Sequence, residues 1–357
     1  MNVNVKRISV SDTNQTARSG LNRQILSQTP KMGDLSLLEP FSAQYIRNPP
    51  YTLNELKQGL EQIATQFNDG SVFQGMATLR DTLLLARANM DPELWLEAIE
   101  IVETHPISDL LRQCPTTNRS VQKPRGYAGD ARLIDYIYGT DCDTVMPHAA
   151  TIAGQVSFFV THSSACWAVR ERRKIIAAEI EKAVSHRNDV RLLSIACGHL
   201  RELDLLNAPQ KMNIAQFNAL DQDESSLAVA KAAAGEVPIT AINQDIMSLI
   251  RNRTTFDRLD LVYASGLFDY LSDRTATRLI EKSFNYLRSG GKLLIGNFTP
   301  YGPDIGYMEA CMAWPLIYRT PEDFRSLFNT LRKDQVADIE TFTDSRNIIA
   351  YVVAEKK

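Results

Sequence analysis

The sequence predicts an α/β protein whose C-terminal half folds around an open, mostly parallel sheet and whose N-terminal half is all helical. Three observations predict it. Residues 190–206, VRLLSIACGHLRELDLL, read as a buried strand, a turn of small residues and a helix. Three further apolar runs follow, and each ends in an acid or a small pair: Asp221 in FNALDQDESS, Asp245 in TAINQD, and Ser265-Gly266 in DRLDLVYASGLF. Before them, from Tyr51, the apolar residues recur at helical steps, as in Leu53, Leu56, Leu60, Ile63 and Phe67.

The elements are justified in chain order. Residues 1–50 are polar and broken by Pro and Gly, which predicts an irregular arm. Residues 51–165 predict a helical domain. After the first helix come helices over about 72–89 and 92–103, the latter opened by Asp91 as N-cap with Pro92 in the first turn. In KPRGYAGDARLIDYIY, residues 123–138, two glycines bracket Tyr127, and Asp130 caps a helix carrying Leu133, Ile134 and Ile137. Residues 150–184 give one or two long helices that lead into the first strand. The sheet domain is expected over 166–357. Its first turn, Ala196-Cys197-Gly198, runs into a helix over Leu200–Leu206. In LRSGGKLLIGNF, Ser289-Gly290-Gly291 is expected as the turn before the fifth strand. Two last strands, about 337–344 and 347–355, are joined by Asp344-Ser345-Arg346 and so run antiparallel.

Composition bounds the function. The 357 residues carry a net charge of −3, with no basic patch to bind nucleic acid. No apolar run is long enough for a membrane span, and MNVNVKRISVSDTNQ lacks the apolar core of a secretory leader, so a cytoplasmic protein is expected. The five cysteines are scattered without CxxC spacing, which fits reduced thiols, and the five histidines are dispersed, so no metal is expected. The oligomeric state is not encoded in any of these features.

The candidate site follows from where ligands bind in open α/β sheets, at the carboxyl ends of the strands. A small-residue turn at 196–198 lets a ligand approach the backbone. Asp221 suits the hydroxyls of a ribose, the alternative being a plain helix cap. Asp245 ends the third strand, and Ser265-Gly266 permits close approach at the fourth. Gly126–Asp130 reads either as a lid, with Tyr127 against the ligand, or as a turn and cap. Of Arg170, Arg172 and Arg173, Arg170 is taken as the guanidinium that clamps a carboxylate. The aromatic loop after the fifth strand offers Asn297, whose amide suits a substrate amine or carboxylate, and Glu309, a general base or a helix cap.

From about Arg170 onward this order of elements resembles the class I S-adenosylmethionine (SAM) methyltransferases. The resemblance implies a Rossmann-like seven-stranded domain with the helical region as lid. It implies a SAM site: Ala196, Cys197 and Gly198 at the amino-acid part, Asp221 and Gln222 at the ribose, Asp245 and Ile246 near the adenine, and Ser265 and Gly266 facing the sulfonium. Where that family commonly has three glycines in its first turn, only Gly198 stands here, flanked by Ala196 and Leu200. GYAGD, AVRERR and WPLIYRTPEDF are similar to bacterial extracellular-factor (3-hydroxypalmitic acid methyl ester) biosynthesis methyltransferases. The implied function is methyl transfer to a small-molecule carboxylate, hydroxyl or amine, in secondary metabolism or signal synthesis, with Tyr127, Asn297 and Glu309 as catalytic candidates. Relatives that cyclise SAM to azetidine-2-carboxylate supply the alternative, in which SAM's own amine displaces methylthioadenosine.

Overall fold

The computed structural model describes residues 50–140, 145–185 and 187–357. The irregular arm expected over residues 1–50 lies outside the described residues, apart from Pro50.

Among the described residues eight helices come first: α1 (Leu53–Asn68), α2 (Val72–Asn89), α3 (Pro92–Thr104), α4 (Ile107–Leu111), α5 (Pro115–Gln122), α6 (Ala131–Tyr138), α7 (Ile152–Thr161) and α8 (Ser164–Ser185). Local chemistry sets their starts. Thr52 and Glu55 form a reciprocal capping box at α1, and Asp91 caps α3 with Pro92 in its first turn. The apolar stripe expected on α1 is buried at Leu56, Leu60, Ile63 and Phe67. The short helices α4 and α5 were not expected, because neither is long enough to show a period.

The remainder alternates β1 (Val190–Ile195), α9 (Ala208–Met212), β2 (Ile214–Asp221), α10 (Glu224–Ala233), β3 (Ile239–Asn243), α11 (Ile246–Ile250), β4 (Leu259–Ala264), α12 (Asp273–Asn285) and β5 (Leu287–Phe298). Then come α13 (Ile305–Cys311), α14 (Pro321–Ser326), β6 (Val336–Thr343) and β7 (Ile349–Lys356). The seven strands order as β3-β2-β1-β4-β5-β7-β6. The first five are parallel, and β7 lies antiparallel between β5 and β6. This is the Rossmann-like seven-stranded α/β fold the sequence predicts.

Strand alternation divides the core. Leu192, Phe217, Leu261 and Leu294 face the helices α1 to α8, whereas Leu193, Ile195, Val262 and Leu293 face α12 and the residues after α14. The first cluster is continuous from Tyr51 in the helices to Val353 in the sheet. The helical region therefore packs onto the sheet as part of one interior. At its centre, α13 crosses α2 so closely that a Cβ on Gly306 would lie 2.5 Å from the Leu83 carbonyl oxygen.

Two sequence expectations are corrected. The helix expected over 200–206 is a 3-10 turn, Arg201–Leu205. Leu200 sits at φ 50°, a left-handed conformation that cannot begin an α-helix. Ser289-Gly290-Gly291 is a bulge inside β5 rather than a turn before it: Leu259 pairs with Leu287, but Leu261 pairs with Lys292. Gly290, at φ 74°, absorbs the extra residues.

Candidate functional site

The carboxyl ends of β1, β2, β3 and β4 open on one cavity of about 560 Å³. Ala196, Cys197, Gly198, Asp221, Gln222, Asp245, Ile246, Ser265 and Gly266 all line it, although they come from four separate loops. The first turn carries left-handed backbone at Ala196, Gly198 and Leu200, φ 54°, 55° and 50°. These conformations curl the chain tightly, and its N–H groups are largely used within the fold: Cys197 N–H donates to the Leu220 carbonyl and Leu200 N–H to the Cys197 carbonyl. Gly198 N–H donates to Asp221 Oδ2 at 2.8 Å, and Asp223 N–H donates to Oδ1 at 2.9 Å. Asp221 is thus a rigid, buried carboxylate at the end of β2. It is not the cap of α10, which is Asp223. Burial raises the Asp221 pKa above the ordinary carboxylate value, against the pull of those N–H groups. Asp245 caps α11 through Ser248 N–H at 3.1 Å and is exposed at the cavity rim.

The segment before α6 lines the cavity through Arg125, Gly126, Tyr127 and Gly129. Arg125 reaches over to α10, with Nη1 2.7 Å from both Asp223 Oδ2 and Ser226 Oγ. Gly126 turns the chain at φ 88°. Tyr127 lines the cavity, and burial, followed by the nearby charge of Asp221, raises its phenol pKa well above the ordinary value. Gly129 lies flat against Trp314 and Tyr270: an added Cβ would be 2.3 Å from the Trp314 ring and 2.8 Å from the Tyr270 oxygen. Trp314 Nε1 donates to that same oxygen at 2.7 Å. Asp130 is fully buried. It accepts Leu133 N–H at the start of α6 and two hydrogen bonds from Arg119, at 2.8 and 2.7 Å.

Three expected site residues lie elsewhere. Arg170 Nη1 donates to the carbonyls of Ile137 and Thr161 and ties α6 to α7. The guanidinium at the cavity is that of Arg172. Asn297 is fully buried: Nδ2 donates both its hydrogens, to the Phe298 and Ile317 carbonyls, and Oδ1 accepts from Arg319 at 2.7 Å. Its amide is committed to holding the chain around β5. Glu309, on α13, accepts from Trp95 Nε1 and Arg87 Nε, both at 2.7 Å, and so pins α13 to α2 and α3. Neither Asn297 nor Glu309 reaches the cavity.

Sequence reasoning missed other groups. His199 Nδ1 lies 2.8 Å from Asp135 Oδ2, and Arg201 grips the same carboxylate through Nε and Nη2, both at 2.8 Å. That grip and the histidine hold the Asp135 carboxyl below the usual range despite its burial. All three residues line the cavity. The only signal was the run Gly198-His199-Leu200-Arg201 itself, since Asp135 is distant in sequence. Cys197, in the turn, is buried, and burial lifts its thiol well above the ordinary pKa. Among the described residues no cluster of three or more His, Cys, Asp or Glu side chains is arranged to hold a metal ion. Four cysteines among them are free and buried, and no helix of the described residues is long and apolar enough to cross a membrane.

Asp269, also at the cavity, is pushed up to about 6 by burial, against the pull of Phe298 N–H and of Arg172 and Arg319. Its folded pKa lies above the ordinary 3.8, so the folded chain keeps a proton that the unfolded chain has released. Stability therefore falls as pH rises from about 4 to 6 and then levels off. Asp269→Asn is expected to gain, relative to wild type, on the order of 2–3 kcal/mol more at pH 8 than at pH 4. Urea unfolding at the two pH values measures this difference, and equal values would refute it.

No family model matches the chain, and no curated protein matches it. Among solved structures it is similar to a possible exported protein from Bordetella parapertussis, at 17% identity and a TM-score of 0.52, covering 84% of this chain and 96% of that one. It is also similar to magnesium protoporphyrin IX methyltransferase (ChlM) from Synechocystis PCC 6803 with bound SAM, at 13% identity and a TM-score of 0.37, covering 54% of this chain and 84% of that one. A third is the N-methyltransferase NodS from Bradyrhizobium japonicum WM9 in complex with S-adenosylhomocysteine, at 15% identity and a TM-score of 0.38, covering 53% and 87%. The first of these likenesses is one of fold.

Proposed function

We propose that this protein binds SAM across the carboxyl edge of its sheet and transfers the methyl group to a small-molecule carboxylate, hydroxyl or amine. The observation that carries the reading is the Asp221 carboxylate, buried at the end of β2 and clamped to the turn of β1 beneath the cavity. A carboxylate so placed accepts both hydroxyls of a ribose at once, and the turn of small residues at 196–198 lets the tail of the same ligand approach the backbone. The cavity volume suits a nucleoside with an amino-acid tail. The strand order, with its antiparallel β7 inserted beside β5, matches the sheet implied by the sequence resemblance. Synthesis of a signal or another secondary metabolite is the role that resemblance suggests.

Bound SAM supplies an electrophilic methyl on a sulfonium. The protein's own contribution is alignment and exclusion of water. Asp221 fixes the nucleoside end. The Tyr127 ring, with Gly129 seated on Trp314, closes the mouth, and an aromatic face near a sulfonium is worth roughly 0.5–2 kcal/mol. The small pair Ser265-Gly266 leaves room at the end of β4 for an acceptor to meet the methyl.

A second reading is favoured by the closure itself. With Arg125 latched to Asp223 and the aromatic wall above, the cavity suits one folded ligand with no acceptor. SAM's amine nitrogen would then form a bond to its own γ-carbon as the carbon–sulfur bond breaks. The sulfur would leave as methylthioadenosine, the amine would lose one proton, and azetidine-2-carboxylate would form. The nucleoside product separates the two. Under the methyltransferase reading, protein incubated with SAM alone yields no methylthioadenosine, and S-adenosylhomocysteine accumulates once a panel of small acids, alcohols and amines is added. Mass spectrometry of the nucleosides reads this. Methylthioadenosine from SAM alone would replace methyl transfer with cyclisation, and failure to bind SAM would remove both.

A further inference from the structure

Arg172, on α8, is 6% exposed and lines the cavity, yet no described residue hydrogen-bonds or ion-pairs with it. Its Nε is fully buried without a partner. The tip lies against the end of β4: a Cβ on Gly266 would be 3.2 Å from Nη1 and 3.3 Å from Nη2. The guanidinium is thus largely withdrawn from water with no protein group in its place. Asp269 feels its charge, but is held by Phe298 N–H at 2.6 Å and forms no ion pair with it. The other arginines near the cavity are occupied: Arg201 by Asp135, and Arg125 by Asp223 and Ser226. His199 repeats the pattern. It is 4% exposed, its Nδ1 is held by Asp135, and its buried Nε2 has no partner. Tyr138 lies within electrostatic reach of both Arg172 and Asp135 and lines the same cavity.

We propose that Arg172 is the receptor for a carboxylate of the ligand, with His199 Nε2 as the second polar atom waiting for that ligand in the same cavity. A planar guanidinium free on all its N–H groups matches a carboxylate in two-pronged fashion, and a dry site strengthens the pair. The subsite sits by β4, on the far side of β1 from Asp221, so the ligand spans the sheet's edge from ribose to carboxylate. The carboxylate belongs either to the amino-acid tail of the nucleoside or to the acceptor. The proposal rests on the SAM reading only in its choice of nucleoside probes.

The test uses the full chain and the variants Arg172→Met, which keeps most of the side-chain volume, and Arg172→Lys, which keeps the charge but loses the fork. Calorimetry compares S-adenosylhomocysteine with methylthioadenosine, which lacks the amino-acid tail. Thermal melting of the free protein and of its S-adenosylhomocysteine complex is then followed with acetate, butyrate and benzoate, against benzyl alcohol. If the tail supplies the carboxylate, Arg172→Met removes roughly 10–100-fold of the preference for S-adenosylhomocysteine and leaves methylthioadenosine affinity as it was. If the acceptor supplies it, that preference stays, and the stabilisation by small carboxylates seen in wild type vanishes in the variant. In both cases Arg172→Lys falls between, and ligand-free Arg172→Met melts no lower than wild type, because the unpaired cation is gone. A lower melting temperature with nucleoside preference and carboxylate response both unchanged would overturn the proposal and leave Arg172 a structural residue. Wild type that binds neither nucleoside would refute the SAM reading alone, since the carboxylate titrations on the free protein still decide this one.

Discussion

Asp221→Ala is expected to lower SAM affinity by at least two orders of magnitude. The carboxylate would accept two ribose hydroxyls, and hydrogen bonds to a charged group contribute about 1.5–3 kcal/mol each. The same oxygens already hold Gly198 N–H and Asp223 N–H, so removing them also loosens the turn that faces the ligand. Asp221→Asn lessens the second effect: its amide oxygen still accepts one of the two N–H groups, its NH2 faces the other, and the charge is lost. Its affinity is expected to fall by about tenfold or more, with the fold intact. The raised pKa adds a pH dependence. Asp221 takes up its proton at a higher pH than an ordinary aspartate, so wild-type affinity declines earlier on acidification. Calorimetric titration of SAM on the three proteins across pH 5–8 checks each statement. Equal affinities in wild type and Asp221→Ala would remove the ribose site and, with it, the SAM reading.

The sheet was legible because its signals are local. Each parallel strand is an apolar run ending in a distinctive residue, and the order of those ends places Asp221, Asp245 and Gly266 without any knowledge of tertiary structure. Gly126–Asp130 was legible for a similar reason, since glycines, an aromatic residue and a cap sit within five positions. The arginine cluster shows where such signals end. Residues 170 and 172 are two apart on α8, and an α-helix turns them to nearly opposite sides. Sequence composition names the cluster, but only the helix's rotation selects Arg172 for the cavity and gives Arg170 to the α6 and α7 carbonyls. Asn297 and Glu309 failed differently. Both lie close in sequence to the expected acceptor loop, but α13 folds away from the cavity into the helices, where Glu309 meets Trp95 and Arg87. Those partners are more than 200 residues distant, and no spacing rule reports them. Asp135 and His199 are likewise joined only by the closure of α6 onto the first turn.

Asp130→Ala is expected to be the most destabilising single change at the site, at roughly 3–5 kcal/mol. The carboxylate is wholly buried and receives two hydrogen bonds from Arg119, a geometry that holds the Arg119 pKa above its ordinary value even though burial works against it. Removing it leaves the partly buried Arg119 guanidinium without its carboxylate and also takes the cap from α6, which alone is worth about 1 kcal/mol. The two losses share one side chain and do not simply add. The double variant Arg119→Met/Asp130→Ala is therefore expected to recover much of the stability, because the stranded charge is gone while only the cap stays lost. The functional consequence is separable from the fold. In the double variant residues 125–129 lose their anchor at one end and keep the Arg125–Asp223 latch at the other, so Tyr127 no longer sits in one place over Asp221. Its SAM affinity should remain well below that of wild type although its stability is largely restored. Urea unfolding and calorimetry on the same samples measure the two quantities. If Asp130→Ala loses only about 1 kcal/mol and binds SAM as wild type does, Asp130 is a helix cap and nothing more, and the segment before it is a connector rather than a lid.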